Sequence, residues 1–352
     1  MRLPDQEKLE ELQGKVVGDV GGALGVLMAY MGDQAGIYQA MEGLGQQTDA
    51  QLASRTGIDR RYLREWLSAN VAFGYIDHQS ETDTFSISPE QAAIFAHDGE
   101  PTCMQGFFQA VMSNMGSHET VVEVFRSGRG RPWHEHSEMC FCGVDRFFRP
   151  GYVANLVESW LPSLNGVIGK LDAGAKVADI GCGHGSSTIL MAESFPNSEL
   201  YGYDFHEPSI QVANDKIANG NLSNIRFEVS AAKTFTEGDF DLICIFDALH
   251  DMGDPVGAAK HIHKALKPGG TFMVVEPLAG DTLEDNTNLL SGIFYSFSTA
   301  VCVPASRSQE VGLQLGAQAG QARLTEVLNE AGFSHVRRAS ETHSNMILEA
   351  RK

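Results

Sequence analysis

The stretch Val177-Ala178-Asp179-Ile180-Gly181-Cys182-Gly183-His184-Gly185 decides how the rest of the chain is read. Val177 to Ile180 is a short apolar run of the kind that forms a buried strand, and three glycines at alternate positions close it. Ser186-Ser187-Thr188 and the apolar-periodic Ile189-Leu190-Met191-Ala192 then begin a helix. Glycine permits positive φ and lets a ligand approach the backbone closely, while the first helical turn leaves its N–H groups unpaired. Strand, glycine turn and helix in this order predict a nucleotide-binding unit; a plain glycine-rich turn is the simpler alternative.

The positions of the acids and glycines narrow the nucleotide. A dinucleotide fingerprint requires Gly-x-Gly-x-x-Gly, but here the glycines are 181, 183 and 185 and the sixth position is Ser186. Asp179, two residues before the first glycine, places a carboxylate at the strand end, which suits a cation better than a pyrophosphate. S-adenosylmethionine carries such a cation in its ammonium and sulfonium groups. A second strand, Glu199 to Asp204, ends in an acid 19 residues beyond Gly185, where a carboxylate accepts from both ribose hydroxyls. Phe205 is then placed to lie against adenine.

A chain of 352 residues has room for one large or two ordinary domains, and two are expected. A hydrophobic fraction of 43% and 37 glycines suit a globular protein. No run approaches the roughly 18 apolar residues that cross a bilayer, and the first ten residues lack an apolar signal core, so no membrane partner and a cytoplasmic location are expected. The net charge of −19 repels a phosphate backbone and favours a small-molecule partner over nucleic acid. The six cysteines form no Cys-x-x-Cys pair and read as reduced thiols.

Residues 1–100 read as a helical, winged-helix domain. Five glycines between Gly18 and Gly32 in an apolar helix imply close helix approach, and a homodimer interface is the preferred reason. Thr48 to Asp59 reads as helix, turn and a new cap at Asp59, followed by an amphipathic helix from Arg60 and a hairpin around 76–88. Arg60, Arg61 and Arg64 are the residues a DNA-binding version would set against phosphate. In so acidic a chain they read instead as a solvated helix face.

Residues 101–170 form a helical, aromatic segment expected to line an apolar acceptor pocket: Phe107, Phe108, Met112, Met115, Trp133, Phe147, Phe148 and Tyr152, joined later by Tyr295. The same residues would equally serve to pack two domains. His134, His136, Cys140 and Cys142 lie close together, but their spacing matches none of the paired zinc patterns, so no metal is expected.

Residues 171–352 read as alternating strands and helices, which implies a doubly wound, mostly parallel α/β sheet of Rossmann type with ligands at the strand carboxyl ends. Asp179, Asp204, His250 and Glu276 all fall at such ends. A long insertion, 278–320, is expected to act as a lid. Helix 322–331 and two strands close the sheet.

On these residues the chain resembles the class I S-adenosylmethionine-dependent methyltransferases. More narrowly, it is similar to the bacterial group with an N-terminal winged-helix dimerisation domain, related to small-molecule O-methyltransferases. The resemblance implies a seven-stranded sheet and a donor site at Asp179, Gly181, Cys182, Gly183 and Gly185 for the methionine part, with Asp204 for ribose and Asp247 beside them. His250-Asp251 matches the relatives' His-Asp pair, which contributes the general base, and Glu276 the acid that orients the histidine. The family's Gly-Asp-Ala, whose acid binds the adenine amino group, is replaced by Ser230-Ala231-Ala232, so backbone there or another side chain must serve. The plant enzymes' second orienting glutamate would fall near Ala322, where no acid stands.

The expected reaction is methyl transfer to oxygen of a small, partly apolar metabolite, releasing S-adenosylhomocysteine, with His250 as base. Two alternatives stay open. One is transfer to sulfur or nitrogen without an essential base; the other is a donor-binding regulator that uses its winged helix on DNA.

Overall fold

The computed structural model describes residues 3–218, 220 and 222–352. The chain divides into two compact units: one comprises the residues up to Gly116 together with Cys142–Pro150, the other Ser117–Phe141 and Gly151–Lys352.

The first unit is helical. Its opening helix, Gln6–Gln34, is started by Asp5, whose carboxylate accepts from the N–H groups of Glu7 and Lys8. Thr48 and Gln51 form a capping box for helix Asp49–Thr56, Gly57 ends that helix in the left-handed conformation, and Asp59 caps helix Arg60–Ala72. Strands β1 (Asp77–Gln79) and β2 (Thr84–Ser86) pair antiparallel as the wing. Tyr38, Leu63, Trp66, Leu67, Phe85 and Phe95 are at the core. Close approach accounts for two of the helix's glycines: a β-carbon on Gly32 would lie 2.4 Å from the Tyr38 ring, and one on Gly25 would lie 2.9 Å from the Tyr75 hydroxyl. Gly18, Gly21 and Gly22 face nothing within 4 Å among the described residues.

Arg60, Arg61 and Arg64 each pair with an acid of the same unit: Asp49 at 2.9 Å, Glu65 at 2.5 Å and Asp83 at 2.8 Å. The charges that a phosphate backbone would need are already engaged.

The second unit holds a seven-stranded sheet: β3 (Lys176–Ile180), β4 (Glu199–Asp204), β5 (Ile225–Val229), β6 (Phe240–Phe246), β7 (Leu266–Pro277), β8 (His335–Glu341) and β9 (Asn345–Arg351). The spatial order is β5-β4-β3-β6-β7-β9-β8, parallel throughout except that β9 runs antiparallel to both its neighbours. Helices cover the sheet, which is why the central strands β3, β6 and β7 are nearly continuous apolar runs without alternation. The order reverses between β3 and β6, the switch point at which doubly wound sheets open a crevice beyond their carboxyl ends.

Strand β7 starts at Leu266, which pairs with Phe240, and the Pro268-Gly269-Gly270 turn is absorbed as an irregularity in the ladder. Two expectations need correcting. The helix after the insertion starts at Gly320, two residues before Ala322. The 19-residue helical stretch Leu289–Arg307 does have the length and apolarity of a membrane span. Half of it is buried inside the protein, and Ser298 and Ser306 are among its buried residues; it packs as a core helix of this unit.

Candidate active site

Asp179 ends β3 with 1% of its surface exposed. Its Oδ2 accepts hydrogen bonds from the hydroxyls of Ser187 (2.6 Å) and Thr188 (2.7 Å), the residues that open the following helix. Oδ1 is buried with no hydrogen-bond partner. Burial pushes this carboxyl up to about 6, against the pull of the two hydroxyls. The turn beyond it has Gly181, Gly183 and Gly185 all at positive φ. Gly185 is needed twice over, since a β-carbon there would also lie 2.5 Å from the Phe227 ring. At Gly183, by contrast, a β-carbon would meet no described atom within 4 Å, and Cys182 between them is buried.

Asp204 ends β4. One carboxylate oxygen accepts from the Gly183 N–H (2.9 Å) and the other from the His206 N–H (2.8 Å), so this acid ties the glycine turn to its own strand. Burial raises its pKa, and those two N–H groups hold it down. The neighbouring Phe205 is 51% exposed and presents a free ring. Ala231 and Ala232 lie in the turn after β5, with the Ala231 carbonyl accepting from the Thr234 N–H.

Beyond β6, Asp247 adopts φ 49°, a conformation costly for a residue with a β-carbon. Its Oδ1 accepts from Asn345 Nδ2 at 2.8 Å, and its Oδ2 is buried without a partner. Burial, followed by the charge of Glu276, drives its pKa well up.

His250, in the short 3₁₀ turn Leu249–Asp251, is buried, with 4% of its surface exposed. Its Nδ1 is hydrogen-bonded to Glu276 Oε2, while Glu276 Oε1 accepts from the N–H groups of Leu249 (3.1 Å) and His250 (3.3 Å). Nε2 lies 3.2 Å from Asp251 Oδ1, yet that oxygen forms no hydrogen bond. Burial alone would lower the histidine pKa; Glu276 and Asp251 outweigh it and carry the value well above the ordinary one. Burial raises Asp251 in turn.

The sequence reading missed what stands against this histidine. Cys302, from the insertion, brings its thiol within 4.8 Å of the His250 and Asp251 ligand atoms, the one group of three metal-capable side chains among the described residues. Burial and the nearby Asp251 push that thiol up to about 12, so it is a neutral neighbour. Ser187, Thr188 and Asn345 were missed as well. The two hydroxyls were legible, since they directly follow the glycine turn; nothing in the sequence links Asn345 to Asp247.

The expected acceptor-lining residues divide between the two units. In the first, Phe107 packs on Phe147 (5.0 Å between ring centres) and Phe147 on Phe148 (4.8 Å). Phe108 joins the core of that unit against Phe95, Met112 is half-buried, and Met115 is exposed. In the second, Tyr152 is buried against Phe246 at the end of β6 and Trp133 packs on Phe141. Tyr295 lines a cavity of about 390 Å³ with Val124, Phe125, Thr299, Val303 and Leu315.

Two buried carboxylate oxygens without partners, an open glycine turn and an acid at the end of the next strand fit a nucleoside ligand with a cationic arm. With the strand order, they define the class: an α/β methyltransferase domain. Comparison with known proteins gives both domains. The model described as "Methyltransferase domain" matches residues 171–332, and that described as "Rv2258c-like winged HTH domain" matches residues 22–97. The chain thus carries a methyltransferase domain, with S-adenosylmethionine as its donor, behind an N-terminal winged-helix domain. It is similar to the demethylmenaquinone methyltransferase of Listeria monocytogenes serotype 4a (strain HCC23), at 28% identity over 184 residues, 49% of this chain and 76% of that protein. The Geobacillus stearothermophilus enzyme of the same name is 31% identical over 110 residues, 30% of this chain and 47% of that protein. Human N-acetylserotonin methyltransferase shares the fold at a TM-score of 0.73 and 15% identity, covering 100% of this chain and 99% of that one. The mitomycin 7-O-methyltransferase MmcR does so at a TM-score of 0.72 and 17% identity, covering 99% and 100%.

Proposed function

We propose that the protein methylates an oxygen of a small, partly apolar metabolite, with His250 as the general base. The carrying observation is the His250–Glu276 pair: Nδ1 is committed to Glu276, which leaves Nε2 as the one nitrogen able to take a proton. Ring-containing small molecules in the names of the structural neighbours, N-acetylserotonin and mitomycin, support the size class of the acceptor.

When bound, S-adenosylmethionine supplies a methyl group already activated on a sulfonium. Asp179 holds the cationic amino-acid end through its free Oδ1, and the approach of that cation returns the carboxyl to its ionised form. The Gly181-Cys182-Gly183 turn admits the ligand to the backbone. Asp204 keeps acceptor capacity for the ribose beyond its two N–H bonds, and Phe205 and the Ala231-Ala232 backbone would hold the adenine. Asp247 would offer the donor's cationic part a second buried carboxylate with an unpartnered oxygen. On the acceptor side, His250 acts in its neutral form, populated above its raised pKa: Nε2 receives the hydroxyl proton, and the imidazolium that forms is held between Glu276 and Asp251. The enclosed site strengthens both charge pairs and aligns the reacting oxygen.

The test is His250→Ala with a hydroxyl acceptor. Turnover is expected to fall about 10²- to 10⁴-fold, with S-adenosylhomocysteine affinity within about twofold of wild type. Unchanged turnover would remove the base and favour a nitrogen or sulfur acceptor.

The same reading includes a homodimer through the first unit. Leu12, Val16, Val20 and Leu24 recur at helical spacing along the opening helix and are all exposed. A second copy of that helix is the occupant proposed.

A further inference from the structure

The segment Arg131–His136 lies in the second unit, with one end tied to each half of the site. The Arg131 N–H donates to the Pro304 carbonyl at 2.9 Å, two residues beyond Cys302, which stands at His250. Trp133 packs on Phe141 (5.3 Å between ring centres) and Phe141 on His206 (4.4 Å), whose N–H holds Asp204. The segment therefore runs between the proposed base and the proposed ribose acid.

Within it, Arg131 is only 5% exposed. Its Nη2 donates to the Glu135 carbonyl at 3.3 Å, but Nε and Nη1 have no hydrogen-bond partner, and Arg131 forms no ion pair among the described residues. His136, 7% exposed, likewise has a buried Nε2 without a partner. Burial and the arginine charge hold this histidine down to about 4, so it is neutral and free to donate through Nε2–H. A buried guanidinium with an unused pair of donors is among the costliest groups a protein can retain. Structural arginines in this chain look different: Arg146 is engaged by Asp33, Asp98, Gln105 and Gln109. Nη2 spends one of its two N–H groups on Glu135, so a carboxylate can bridge the other and the open N–H of Nε or of Nη1, the fork that forms two parallel bonds.

We propose that Arg131, with His136 beside it, forms a subsite for a carboxylate group of a bound ligand. The inference rests on the methyl-transfer reading above and deepens it. Two sources share this chemistry: the amino-acid carboxylate of the donor, and an acid group on the acceptor, which would make the acceptor an aromatic or alicyclic acid.

Arg131→Met and the wild-type chain are compared in three titrations: S-adenosylhomocysteine; its decarboxylated analogue; and, in S-adenosylhomocysteine-saturated protein, benzoate against benzamide, followed by Trp133 fluorescence. If the donor is gripped, Arg131→Met loses at least tenfold in S-adenosylhomocysteine affinity and nothing for the decarboxylated analogue. If the acceptor is gripped, S-adenosylhomocysteine affinity is unchanged, benzoate weakens at least tenfold, and benzamide binds both proteins alike. Equal affinities of the two proteins for all probes overturn the subsite. Failure of the wild type to bind S-adenosylhomocysteine would instead count against the donor site itself. The ligand-free variant is expected to melt no lower than wild type, since it loses an uncompensated buried charge; a lower melting temperature would mark Arg131 as structural and also overturn the proposal.

Discussion

Glu276 makes three contacts at once, accepting from two backbone N–H groups with one oxygen and binding the His250 ring with the other. The backbone bonds fix the carboxylate, and the carboxylate fixes the ring. The electrostatic consequence has a definite sign. Burial lowers the histidine pKa while Glu276 and Asp251 raise it by more, so the imidazole of the wild type stays protonated to a pH above its ordinary value near 6.5. Glu276→Gln removes the larger of the raising charges, and the titration should move to lower pH. Histidine-selective NMR between pH 5 and 9 measures this directly; coincident curves would mean that Glu276 does not control the charge of His250. Asp179 follows the opposite logic. Its rise from 3.8 to about 6 corresponds to about 3 kcal/mol against the ionised ligand-free form, a cost that a cationic ligand offsets. Asp179 and Glu276 were both legible as acids at strand ends. Asn345 and Cys302 were not, because they reach the site from remote parts of the chain, and no local pattern records that.

At the scale of elements, the unit of β3, glycine turn and helix Ser186–Ser194 was legible almost residue by residue, since each part of it obeys a local rule: an apolar strand, glycines at positive φ and hydroxyls at a helix start. The need for glycine at 185 has a tertiary component that the sequence hides, the Phe227 ring of β5 pressed against it. Gly185→Ala combines that clash with a φ of 77° and should cost about 2–4 kcal/mol. Thermal melts and S-adenosylhomocysteine titration are expected to show a lower transition and weaker binding together; an unchanged melt would mean that the turn relaxes freely. The insertion, expected from its length to act as a lid, carries a half-buried helix that delivers Cys302 to the histidine.

For the whole molecule, the exposed apolar stripe on the opening helix makes a prediction that the individual chain can test. Val16→Glu with Val20→Glu places charges on residues that support no core contact, so each chain should fold and melt as before while light scattering shows half the mass. Retention of the wild-type mass would locate the interface elsewhere. Sequence alone determined the class of protein, because strand-end acids and a glycine turn are set by chemistry that a ligand imposes on a few neighbouring residues. It also determined the winged-helix pattern, through caps and helical periodicity. Only the tertiary structure decided which side chains surround His250, which acid is clamped by which hydroxyl, and that Arg131 is buried with its donors unused. Those facts depend on segments far apart in the chain meeting as the sheet closes, and on burial, which sets the charge state of each group once they have met.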